Sequence, residues 1–142
     1  MNLNQFTIKS QEVVQKAQEL AFGAKNPSIE TGHLLKGLFI VDENVLSYAL
    51  KKINANQSRI ETALDAVLKS YSVQHGANDK IYLSIDANTA LMKAQGLLKS
   101  FGDEFVTIEH IFLGILDGRD QVSNLLKDAG VKSDDIKKAF IA

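Results

Sequence analysis

No cysteine occurs in this chain of 142 residues, so disulfide frameworks, thiolate metal sites and cysteine nucleophiles are excluded together. A chain without thiols fits a reducing compartment. There is no tryptophan and only one proline, Pro27, and a sequence so poor in breakers favours helices. The formal net charge is −1, which leaves no basic field to hold nucleic acid. Lysines are interspersed with acidic residues, so there is no acidic tail either. No apolar run approaches a membrane span, and Met1 to Gln11 lacks the apolar stretch and small-residue cleavage site of a secretory leader. The expectation is a cytoplasmic protein with neither a nucleic-acid nor a membrane partner.

What is present is a chain 45% apolar and 23% charged, the range of a soluble globular domain, and long enough for one real core. The chain also contains one segment twice. Ala17-Gln18 recurs as Ala94-Gln95, His33-Leu34 as His110-Ile111, and Gly37-Leu38 as Gly114-Ile115, each 77 positions later. So regular a repeat means that one supersecondary unit is used twice. From Leu50/Leu126 and Ile60/Ile136 onward the offset is 76, which places a one-residue change in the turn near Asp42 to Asn44.

Apolar residues recur at steps of three and four. In the first copy Val13, Val14, Ala17, Leu20, Ala21 and Ala24 share one helix face. In the second, Ala87, Ala90, Leu91, Ala94, Leu97, Leu98 and Phe101 do the same and predict one long helix through Phe101. Thr7 and Ser84 precede these stretches as N-caps. Loops follow at 23–30 and 102–107. A second helix begins near Thr31 and Thr107, and a third covers 45–53 and 122–129, ended by Asn54 and Gly130, which tolerate a left-handed C-cap. A fourth runs from Ser58 to Tyr71 and from Ser133 onward. The polar stretch Ser72 to Lys80, with His75-Gly76 and Asn78-Asp79, reads as a surface linker. The fold class is therefore all-α, with two pseudo-symmetric four-helix repeats in one compact domain over 1–142. Repeat one covers about 6–71, the linker about 72–82 and repeat two about 83–142.

The opening Asn2-Leu3-Asn4-Gln5-Phe6-Thr7, then Lys9-Ser10-Gln11-Glu12, Ile29-Glu30-Thr31-Gly32-His33-Leu34-Leu35 and Val106-Thr107-Ile108-Glu109-His110-Ile111, carry a resemblance. In this order and spacing, and twice over, they resemble the double repeat of the N-terminal domain of the Clp AAA+ unfoldases, nearest to the ClpB disaggregase branch. The resemblance covers essentially the whole chain. It implies a non-enzymatic N-terminal part of a larger AAA+ ATPase, a homohexamer whose other modules use ATP and Mg²⁺. No Gly-x-x-x-x-Gly-Lys-Ser/Thr occurs here, so this part is expected to need no cofactor, and to be monomeric.

The repeated histidines invite a metal or catalytic reading, but a zinc site needs three or four convergent ligands. His33 and His110 are expected instead to hydrogen-bond across a helix start. A Glu109–His110 enzyme is weak on geometry, because neighbours on a helix point apart. Asp103 and Glu109 have Asn26 and Gly32 as their repeat partners, so the acidic pair belongs to the second copy alone. Helix capping and dipole stabilisation account for Thr7 and Glu109 without any function. The resemblance assigns Thr7, Asp103 and Glu109 to substrate engagement. Ile8, Leu97, Phe101, Phe105 and Ile108 lie at element ends or where a helix cannot bury every apolar neighbour, and form a candidate apolar patch beside them; the alternative is that they staple helix ends into the core. The partners implied are unfolded or aggregated proteins and the ATPase modules of the parent chain. The alternative is an adaptor- or phosphoarginine-binding domain of the ClpC or ClpA type. That branch carries Glu before the repeat His in both copies, whereas Gly32 stands here in one.

Overall fold

The computed structural model describes residues 2–76 and 80–141. Among these, the helices are α1 (Ile8–Gly23), α2 (Thr31–Val41), α3 (Glu43–Lys52), α4 (Gln57–Ser70), α5 (Ile85–Gly96), α6 (Leu98–Phe101), α7 (Ile108–Leu116), α8 (Gln121–Asp128) and α9 (Ser133–Ile141). The side-chain hydroxyls of Thr7 and Ser84 accept backbone N–H groups of Ser10 and Ala87, as N-caps should. Asn54 (φ 61°) and Gly130 (φ 88°) take the left-handed conformation that ends α3 and α8.

Two expectations are corrected. The helix expected to run unbroken through Phe101 divides at Leu97 into α5 and the single turn α6. Apolar periodicity continues across the break, so periodicity alone does not mark it. The expected linker, 72–82, runs into a strand: Tyr82–Leu83 (β2) pairs in parallel with Ser28–Ile29 (β1). A matching bridge joins Phe6 to Val106. Asn78-Asp79, expected in the linker, lies outside the described residues.

These pairings are reciprocal. The Thr7 N–H donates to the Val106 carbonyl at 3.0 Å, and the Ser84 N–H donates to the Ile29 carbonyl at 2.9 Å. Thr7 corresponds to Ser84, and Ile29 to Val106, under the 77-residue offset. Each copy thus begins by bonding to the loop of the other. The outer helices exchange too: α3 packs on α9, and α4 on α8. The copies are therefore interleaved, sharing one core of α1, α2, α5 and α7. Helices α2 and α7 at its centre are apolar on nearly every face, as buried helices are.

Gly37 and Gly114 allow α2 to approach α1 and α7 to approach α5. A Cβ on Gly37 would lie 2.9 Å from the Val13 carbonyl oxygen; one on Gly114 would press closer still on the Ala90 carbonyl oxygen. Backbone cannot move aside as a flexible side chain can. Gly114→Ala should therefore destabilise by about 1–3 kcal/mol through overpacking, despite the better helix propensity of alanine. Gly37→Ala should cost less. Urea unfolding of both variants checks this; a more stable Gly114→Ala would show that the approach is not tight.

Candidate functional site: the seam between the repeats

The Thr7–Val106 seam brings the start of α1 against the loop before α7. Thr7 is fully engaged locally: its hydroxyl donates to Ser10 Oγ at 2.9 Å while accepting the Ser10 N–H at 3.1 Å. Ser10 Oγ in turn donates to the Val106 carbonyl at 2.8 Å. Thr7 therefore positions the seam more than it offers a free hydroxyl. On the loop side stand Asp103, Glu104 and Glu109. Glu109, in the first turn of α7, is half-buried and forms no hydrogen bond or ion pair with a described residue. The exposed apolar residues flanking the seam are Ile8, 78% exposed, and Phe105, 50% exposed.

Not every expected patch residue joins them. Ile108 is only 5% exposed and belongs to the core, because the first turn of α7 points it inward. Phe101 is half-buried and stacks edge-on against the His110 ring at 5.1 Å. Leu97 lines a separate small cavity with Leu113, Gly114 and Lys137.

The two repeat histidines do the same structural job. The Glu30 N–H donates to His33 Nδ1, and the Thr107 N–H to His110 Nδ1, both at 2.9 Å. An Nδ1 that accepts must be bare, so the neutral ring carries its proton on Nε2. That Nε2–H meets Asn26 Oδ1 at 2.8 Å in the first copy and Asp103 Oδ2 at 3.1 Å in the second. Burial pushes His33 down to about 4 against the opposing charge of Glu30. Burial likewise lowers His110, against the pull of Asp103 and Glu109. No group of three or more His, Asp or Glu that could hold a metal ion occurs among the described residues.

A profile of the Clp repeat (R) N-terminal domain matches residues 5–129. The chain belongs to this family. The chaperone protein ClpB of Bacteroides thetaiotaomicron is 39% identical over 140 residues, and that of Porphyromonas gingivalis 36% over 140. Both alignments cover 99% of this chain and 16% of the relative, so the chain spans about a sixth of the length of these chaperones. It is a ClpB-type N-terminal domain. The Hsp104 N-terminal domain from Candida albicans superimposes with a TM-score of 0.85 at 25% identity, covering 97% of this chain and 90% of that one. The ClpV N-domain, solved in complex with a VipB peptide, shares the fold at a TM-score of 0.76 and 17% identity, with 99% and 89% covered.

Within this Clp repeat domain the pseudo-symmetry makes a second seam, at Ser84 and Ile29, beside a groove of about 480 Å³ lined by Leu3, Val14, Tyr82, Leu83 and Ile85. Ile85, the counterpart of Ile8, is 86% exposed. Ile85 and Glu104 are not among the residues expected from the sequence, although the 77-residue offset applied to Ile8 marks the first and the second adjoins Asp103. The second seam lacks the carboxylates for a physical reason. Asn26 is buried, with its amide donating to the Ser72 carbonyl at 2.9 Å. At Gly32 a Cβ would lie 2.5 Å from the Tyr71 hydroxyl. A side chain there would have to displace the Tyr71 hydroxyl, and burial with the charge of Glu30 pushes the Tyr71 phenol up to about 12.

The histidines set the acid limit of the fold. Each is neutral when folded and gains a proton more readily when unfolded, so below the ordinary value of about 6.5 the unfolded chain binds more protons. Stability should fall as pH drops through that point, with the His33 contribution exhausted near pH 4. Urea midpoints measured from pH 7.5 to 4.5 check this. His33→Gln should flatten the profile while costing about 1–2 kcal/mol at neutral pH, because the Glu30 N–H loses its acceptor.

Proposed function

We propose that the Thr7–Val106 seam is a docking edge for exposed segments of unfolded or aggregated protein, which it holds weakly for a threading ATPase in the rest of a ClpB-type parent. The single observation that carries this is the asymmetry between matched positions. Where the first copy has buried Asn26 and closed-over Gly32, the second presents Asp103, with its side chain 45% exposed, and Glu109, which forms no hydrogen bond or ion pair among the described residues. Neither carboxylate is required by the repeat, because the first copy folds the same helix start without them.

Three carboxylates beside Ile8 and Phe105 suit a segment that combines apolar and basic side chains. An unfolded client loses conformational entropy on docking, and an open edge buries little area, so weak and reversible capture follows. The peptide held by the ClpV N-domain supports a peptide-docking role for this fold. The cytoplasmic location, the homohexameric parent, the need for ATP and Mg²⁺ only outside this part, and the monomeric state of the part itself belong to the same proposal. A two-site phosphoarginine receptor is less well supported, since Gly32 puts no carboxylate before His33 where Glu109 stands before His110.

Asp103→Asn is the informative variant. It gives His110 the amide partner that His33 already has, and so removes the charge while keeping the hydrogen bond. Stability should stay within about 0.5 kcal/mol, as for a surface substitution. Capture of a fluorescent, permanently unfolded protein should weaken about two- to fivefold, and about as much for Glu109→Gln, the scale of an exposed charge contact. Unchanged capture in the double variant would remove this edge as the docking site.

A further inference from the structure

A second surface, sharing no residue with the seam, is built from both copies and is not explained by it. The groove between α4 and α8 has a volume of about 700 Å³. Its apolar lining comes from Ile60, Ala63 and Val67 on one helix and Leu125 and Ala129 on the other side. Arg59 and Arg119 line it as well. They are the only arginines in the chain; the remaining cationic side chains are all lysine. Residues 60 positions apart, one from each copy, thus bring both guanidinium groups to one groove.

Neither arginine has a structural task. Both are exposed, and among the described residues neither side chain forms an ion pair or a hydrogen bond. This holds although Asp120 and Asp128 line the same groove. Asp120 is already spent: one oxygen accepts the Ser123 N–H and the other the Thr31 hydroxyl, each at 2.9 Å. Asp128 is exposed and pairs with neither guanidinium. The repeat does not account for the arginines either. Arg59 corresponds to Asp135, in the smaller groove between α3 and α9, which is lined by Lys52, Ile53, Lys138 and Ala139 and holds no guanidinium.

An arginine presents a rigid fork of donors matched to a carboxylate, where lysine presents a mobile point charge. Two such forks, unspent, above an apolar lining complement one kind of occupant. We propose that the α4–α8 groove docks a peptide segment carrying both apolar and acidic side chains, opposite in charge preference to the seam. The carboxylates reach Arg59 and Arg119, and the apolar side chains cover Ala63, Leu125 and Ala129. The seam offers carboxylates, whereas the groove's unengaged donors are the two guanidinium groups, standing beside Asp120 and Asp128.

The test uses the chain labelled with ¹⁵N and two short synthetic peptides with the same leucine and alanine positions, one carrying glutamate and the other lysine at the polar positions. The glutamate peptide should shift the amide resonances of Ala63, Val67, Asn124 and Ala129 saturably, and bind several-fold more weakly at high salt. Arg59→Gln and Arg119→Gln should each raise its Kd about three- to fivefold; both residues are exposed, so the fold survives the change. Asp103→Asn should leave this Kd unchanged. The proposal is overturned if the glutamate peptide does not bind, if the lysine peptide binds equally well, or if the double arginine variant binds unchanged. Shifts confined to Thr7, Phe105 and Glu109 would also overturn it. So would concentration-dependent shifts of the α4–α8 amides without peptide, which would make a second copy of the chain the occupant.

Discussion

The N–H of Thr7 on the Val106 carbonyl and the N–H of Ser84 on the Ile29 carbonyl are the constraint on which the rest of the structure hangs. Each closes the start of one copy onto the loop of the other. Once both are made, α1 and α5 are fixed relative to α2 and α7, and the glycine contacts at Gly37 and Gly114 set how closely the helices lie. The outer helices pack on the central helix of their own copy and also on an outer helix of the other, which produces the α3–α9 and α4–α8 pairs. A net backbone hydrogen bond contributes only about 1 kcal/mol. The bonds matter because they select one interleaved arrangement, which the shared apolar core then stabilises.

The same arrangement explains why both candidate surfaces lie between the copies. A seam made by duplication starts out as two equal sites. Here Tyr71 and Ser72 close one of them over Gly32 and Asn26, while the other keeps Asp103 exposed and Glu109 half-buried. The neutral histidines beneath are common to both. The repeat thus supplies the scaffold twice, and single substitutions within it distinguish one copy from the other.

Much of this was legible in the sequence, and the reasons for the rest are specific. The 77-residue offset and the three-and-four periodicity marked the helices, the caps at Thr7 and Ser84, and the glycines at the close approach. The break at Leu97 was not legible, since the residues around it continue the apolar pattern. The strand Tyr82–Leu83 was hidden because two residues carry no period of their own, and their partner is 54 positions away in the other copy. For the site, the asymmetry of Asp103 and Glu109 was visible by alignment of the copies. The burial of Ile108 was not, because an apolar residue in the first turn of a helix can face either way. The meeting of Arg59 with Arg119 depends on the exchange of α4 onto α8, which no local pattern announces.

The claim that decides the account is that the copies fold only together. It is tested most directly by producing residues 1–76 alone and following their unfolding in urea by circular dichroism. The interleaved structure predicts that this half shows no cooperative transition, because α1 and α2 lose α7, α2 also loses α5, and α3 and α4 lose α9 and α8, which leaves the apolar core open on one side. Adding the complementary half, 77–142, should restore a cooperative transition at the position set by the concentration of the two pieces. A cooperative transition from 1–76 by itself would show two independent bundles joined by a linker, and would contradict the account.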